Sequence, residues 1–145
     1  MNTRILTKKR TSRIRLSIVT PTLNNGKDIT RYLESLKKQE YPKKHVELII
    51  ADGGSTDTTV SIAKKYGAKV VNNPYVLADP GVEVGIKHAK GNIIMVLAID
   101  NILENSDSLT KMLLPFENQD IIAAFPKQSS DETDSIYTKY INAFT

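Results

Sequence analysis

The 145-residue chain has no cysteine, no tryptophan and only two histidines, and aromatic residues make up 6% of it. Without cysteine there can be no disulfide, no thiolate metal ligand and no thiol nucleophile. His45 and His88 lie far apart in the sequence, which excludes a histidine-rich metal cluster and leaves a Ser-His-Asp arrangement little to work with. Long apolar runs are missing as well. The longest, residues 93–99, falls far below the ~20 residues needed to cross a bilayer. No apolar core of a secretory signal is seen near the start. These absences point to a cytoplasmic chain, free or peripheral at a membrane, with a core that needs no staples at this length.

Lys plus Arg number 20 and Asp plus Glu 16, for a formal charge of +4. That excess has an address. Arg4, Lys8, Lys9, Arg10, Arg13 and Arg15 fall within the first fifteen residues, which hold no acid, so the remainder is slightly acidic. Residues 1–15 read as a basic flexible leader, and the basic balance implies no nucleic-acid partner.

Five apolar runs alternate with helical patterns. Residues 16–20 form a strand stopped by Pro21. Ile29, Tyr32, Leu33 and Leu36 then follow at i, i+3, i+4, i+7, a helix capped by an Asn before it. Residues 46–51 are a strand apolar enough to be buried on both faces. Ser55 or Thr56 caps a helix carrying Val60, Ala63 and Tyr66, closed by Gly67. Residues 69–72 give a third strand, and residues 80–89 a helix with Val82, Ile86 and Ala89 on one face. Residues 93–97 give a fourth strand, Ser106 or Asp107 opens a helix with Leu109, Met112 and Leu113, and residues 121–125 close a fifth strand. Strands and helices in this alternation imply parallel pairing by right-handed crossovers. The fold class is α/β, a three-layer Rossmann-like sandwich with a mostly parallel sheet, over residues 16–126.

Ligands of such sheets bind outside the carboxyl ends of the strands. There the sequence places Pro21, Thr22, Leu23, Asn24 and Asn25 after the first strand, Asp52 to Asp57 after the second, and Asp100 and Asn101 after the fourth. Asp52 suits ribose or base recognition, and Gly53 and Gly54 allow a sharp turn and close ligand approach. The same stretch also reads as a plain strand-to-helix turn. Asp100 suits a divalent cation held against a diphosphate, or a helix cap. No G-x-G-x-x-G follows the first strand, and neither G-x-x-x-x-G-K-[ST] nor G-x-S-x-G occurs. His45 and His88 read as surface residues.

Three stretches, Leu16 to Asn24, Leu48 to Asp57 and Gly85 to Ile94, together resemble the family-2 glycosyltransferases with the GT-A fold. The resemblance implies that Pro21, Thr22, Leu23, Asn25, Asp52 and Gly53 contact the base and ribose of a nucleotide-diphosphate sugar, by default a UDP-sugar. It implies that Asp100 is the last Asp of an Asp-x-Asp element coordinating Mn²⁺ or Mg²⁺. It also implies a glycan or lipid-linked acceptor, whose hydroxyl a carboxylate base activates.

Two departures stand out. Ala98 replaces the first Asp of Asp-x-Asp, and Leu23 stands where the family often has Tyr. The family also usually continues for about a hundred residues more, so no catalytic base is assigned. Residues 127–145 read as the start of a truncated acceptor-side segment. Its stripe Ile136, Tyr137, Tyr140, Ile141 and Phe144 calls for a partner chain or a missing C-terminal half. The alternative is a catalytically inactive nucleotide-sugar binder or partner-binding remnant.

Overall fold

The structure, a computed structural model, describes residues 15–126. The basic leader up to Arg13 and the stripe at 136–144 lie outside the described residues. Four strands, β1 (Leu16–Thr22), β2 (Val46–Asp52), β3 (Lys69–Asn72) and β4 (Ile93–Val96), form one sheet in the order β3-β2-β1-β4. Every pairing is parallel, as crossover helices require.

Alternate residues of β1 divide the core. Leu16 and Ile18 face α1 (Ile29–Lys37), α2 (Thr59–Lys65) and α4 (Ser108–Leu113), joining Ile29, Tyr32, Leu33, Ala63, Leu109 and Leu113 in the larger apolar cluster. Val19 faces the other way and packs with Ile49, Ala51 and Val71 beneath Val84 of α3 (Ala78–Lys87). Helices therefore cover both faces, and the sandwich has three layers. Burying Ile29, Leu33 or Ile50 completely is worth roughly 1.5–3 kcal/mol each.

Several expectations are corrected in detail. Pro21 does not stop β1, which runs on to Thr22. Proline needs only that no ladder partner call on its missing N–H. On α2, Thr59, Ile62 and Ala63 face the core while Val60 does not join it. On α3 the buried positions are Gly81 and Gly85, and Ile86 is exposed. The small residues turn inward because the helix lies close on the sheet: a Cβ at Gly85 would sit 2.3 Å from Val19 Cγ1. Residues 121–125 form no strand, and Ile122 and Phe125 are 95% and 93% exposed. A run of apolar β-formers pairs only when an edge and a covering layer are offered to it, and here β4 stays an edge.

Candidate functional site at the carboxyl edge of the sheet

Thr22 and Asp52 are paired in register at the carboxyl end of the sheet, with Asn72 beside Asp52 on β3. From this row the β1–α1 loop and the β2–α2 loop leave side by side. Gly53 N donates to Thr22 O at 2.8 Å, continuing the ladder one residue past the strand.

Asp52 is almost fully buried and holds its own turn together. Its Oδ2 accepts from Gly54 N at 3.1 Å and Ser55 N at 2.9 Å, while its Oδ1 accepts from Ser55 Oγ at 2.5 Å. A carboxylate offers about four acceptor positions, so capacity for a ligand remains. The turn reading and the ligand reading of this residue are thus compatible. Gly53 is required by crowding, since a Cβ there would lie 2.9 Å from Val76 O. Val76 itself adopts φ +67°, a strained conformation for a β-branched residue.

The two loops are stitched to each other by side chains that the sequence reading did not single out. Asn24, at φ +53°, donates its N–H to Ser55 Oγ at 2.8 Å and accepts from Thr56 N through Oδ1 at 2.8 Å. Asp57 Oδ2 accepts from Gly26 N at 2.8 Å, and its Oδ1 accepts from Thr59 N at 2.9 Å. Asp57, and not Ser55 or Thr56, therefore satisfies the first amide of α2. The hydroxyl and amide of Thr59, with Gly26 N, hold the Asp57 carboxyl below its usual range. Asn25 Oδ1 accepts from Thr22 Oγ1 at 2.7 Å and Leu23 N at 3.2 Å. Asn25 therefore shapes the loop instead of capping α1 with its side chain. The left-handed residue of this loop is Asn24, in a conformation that Asn adopts readily.

Asp100 reaches the same edge by another route. Leu97 N donates to Val19 O at 3.1 Å, extending β4, and Ala98 and Asn101 close a turn through Ala98 N to Asn101 Oδ1 at 2.9 Å. Ile99 is buried and Asp100 exposed. The following segment is pinned by two buried polar side chains, one on α1 and one just beyond its end. Ser35 Oγ accepts from Leu103 N at 3.3 Å, and Gln39 Oε1 accepts from Leu109 N at 3.1 Å. Pro21 and Asn25 are half-buried, Thr22 buried and Leu23 partly exposed. His88 is exposed and His45 half-buried, both away from this edge on the N-terminal ends of β4 and β2.

No group of three or more His, Cys, Asp or Glu that could hold a metal occurs among the described residues. Asp100 alone offers an exposed carboxylate at the end of β4. One carboxylate leaves most of an octahedral shell open, so this donor set fits an ion that arrives with phosphate oxygens and water, and not a resident one.

The profile of glycosyl transferase family 2 matches residues 17–143. The poly(ribitol-phosphate) beta-N-acetylglucosaminyltransferase TarS of Staphylococcus aureus (strain Mu50 / ATCC 700699) is 33% identical over 102 residues, covering 66% of this chain and 18% of that protein. The poly(ribitol-phosphate) beta-glucosyltransferase of Bacillus spizizenii is 31% identical over 113 residues, covering 73% and 18%. The chain thus spans under a fifth of the length of these relatives. Among solved structures, S. aureus TarS 1-349 in complex with UDP-GlcNAc superposes with TM-score 0.63 at 29% identity, covering 72% of this chain and 31% of that one. Glucosyl-3-phosphoglycerate synthase from Mycobacterium tuberculosis, in complex with Mn²⁺, UDP and glucosyl-3-phosphoglycerate, superposes with TM-score 0.60 at 25% identity, covering 73% and 40%. The four-stranded parallel sheet is the GT-A arrangement of these neighbours, and with its profile matched across residues 17–143 the chain belongs to glycosyl transferase family 2.

Proposed function

We propose that the chain is the donor-binding part of a nucleotide-sugar-dependent glycosyltransferase. The observation that carries this reading is the pair of stitched loops at the carboxyl edge, with Asp52 beneath them and Asp100 at the end of β4. Thr22, Leu23, Asn25, Asp52 and Gly53 supply the base and ribose contacts, with Pro21 behind them. Loops already bonded to each other lose little freedom when a ligand arrives. Asp100 takes the divalent ion that accompanies the diphosphate, Mg²⁺ or Mn²⁺, and that ion neutralises charge on the departing nucleoside diphosphate. UDP-sugar is the default donor, and a glycan or lipid-linked hydroxyl the acceptor. No residue is assigned as the base that takes the hydroxyl proton. No helix among the described residues is long and apolar enough to cross a membrane, and we place the chain in the cytoplasm, free or peripheral at a membrane surface.

Titration calorimetry with UDP, GDP and dTDP, with and without Mn²⁺, tests this reading. UDP binding that strengthens with Mn²⁺ is the expected result. Asp100→Asn should remove the metal dependence, a coupling of about 1–3 kcal/mol, and leave metal-free nucleotide binding nearly intact. Tight Mn²⁺ binding without nucleotide, or no nucleotide binding at all, would overturn it. Ala98 favours a second reading, a nucleotide-sugar binder without turnover, because a second carboxylate is missing beside the diphosphate. Equal donor affinity with no donor hydrolysis or transfer, in the presence of the full-length relatives' acceptors, would select that one.

A further inference from the structure

The loop between β3 and α3, residues 73–77, forms a third side of the carboxyl edge. Asn73 N donates to Asp52 O at 2.8 Å, so the loop leaves the sheet beside the buried carboxylate of the candidate site. Asn73 is itself almost fully buried, and its side chain shapes the loop. Its Nδ2 donates to Leu77 O at 2.9 Å, and its Oδ1 accepts from Tyr75 N at 3.2 Å. Val76 N donates to Asn73 O at 3.3 Å. Between these bonds the Val76 backbone is seated on Gly53: a Cβ at Gly53 would lie 2.9 Å from Val76 O and 3.2 Å from Val76 Cα.

Valine is poorly suited to that place. Its φ of +67° is one that glycine and asparagine adopt readily and that a β-branched side chain adopts only under strain. Packing does not fully offset the strain, because Val76 remains 49% exposed. Nor does the loop call for valine, since the bonds that hold Val76 there run through main-chain groups. A strained, half-open apolar side chain is thus kept next to Gly53, where the nearby loop residues Asn24, Asn25, Asp52 and Ser55 are polar. Strain of this kind persists where the surrounding structure over-determines it, and it clusters at ligand-binding sites.

We infer that Val76 is a donor-contact residue, an apolar wall against the nucleobase, held in place by Asn73 before the ligand arrives. This role rests on the donor-binding reading proposed above. The base is the part of a nucleotide sugar that such a wall fits. Two methyl groups offer nothing to phosphate oxygens or sugar hydroxyls, whereas the face of a base is lost from water favourably against them. The sheet order has the same implication. Asp100 ends β4, at the opposite edge of the sheet from β3, so the diphosphate and its ion lie away from Val76, and Asp52 with its base and ribose contacts lies beside it. A wall that is already fixed loses no freedom on binding.

The test is titration calorimetry of the 145-residue protein with UDP, with and without Mn²⁺, alongside thermal melting. Val76→Gly and Val76→Ala both remove the methyl groups, and the glycine variant also relieves the strain. Both should bind UDP about fivefold more weakly, in line with the loss of half a valine's burial, and by the same factor with and without Mn²⁺. The glycine variant should melt no lower than the unaltered protein. Unchanged UDP affinity in both variants would overturn the contact. A loss confined to the glycine variant would assign the effect to loop freedom, and a loss seen only with Mn²⁺ would assign it to the diphosphate; either overturns the role. So would a melting temperature of the glycine variant that falls together with affinity, which would make Val76 a packing residue. No UDP binding by the unaltered protein would overturn the donor-binding reading, and this role with it.

Discussion

At the residue scale the candidate site is a matter of shared acceptors. Asp52 has three bonds inside its own turn, so its removal acts twice. Asp52→Ala should weaken nucleotide binding by ~1.5–3 kcal/mol through loss of a charge-assisted contact. It should also lower stability, because Ser55 N and Gly54 N lose their acceptor. Calorimetry and thermal melting separate the two effects, and an intact fold with unchanged nucleotide affinity would refute the ligand role. Asn24 provides the contrast. It is exposed, yet it joins both loops, so Asn24→Ala should cost affinity with a smaller loss of melting temperature. Asp52 could be picked out in the sequence as an acid closing the second strand, a position that suits both a turn and a ligand contact, and its turn bonds are present. Nothing comparable marked Asn24 or Asp57, whose importance lies in contacts across some thirty residues of chain that no local pattern records.

At the scale of elements, packing decided where periodicity misled. The strands β1 to β4 and helix α1 were legible because their apolar runs and the 3.6-residue stripe had one consistent burial solution. On α3, Val82 and Ile86 looked like the inner face, but close approach to the sheet selects Gly81 and Gly85 instead. Gly85→Ala tests this directly. Its methyl would meet Val19 Cγ1 at 2.3 Å, so overpacking should cost ~1–3 kcal/mol despite the better helix propensity of alanine. The fifth strand was misread for the opposite reason: the apolar pattern of residues 121–125 is real, but strand pairing depends on what the neighbouring chain offers. The clasp between the loops carries its own pH signature. Asp57 is held below the usual carboxylate range by Thr59 and Gly26. Its stabilisation is therefore present above the unfolded value of ~3.9 and is lost as pH falls through the lower folded value. Amide exchange at Gly26 should quicken on acidification below about pH 4 relative to its base rate, and Asp57→Asn should abolish that pH dependence.

The whole molecule is electrically divided. Asp52, Asp57 and Asp100 gather where the strands end, whereas seven lysines gather where they begin. A net charge of +4 conceals this, because it is dominated by the run before Leu16. That run has no apolar periodicity and no capping signal, so nothing in it asks for a place in either layer of the core. Deleting residues 1–13 should leave the melting temperature nearly unchanged, since Arg15 N, which donates to Asn92 Oδ1 at 2.7 Å, is retained. Nucleotide affinity should not move, the carboxyl edge lying at the other end of every strand. A large drop in melting temperature would mean that the basic run packs on the folded body. A drop in nucleotide affinity alone would mean that it reaches the candidate site.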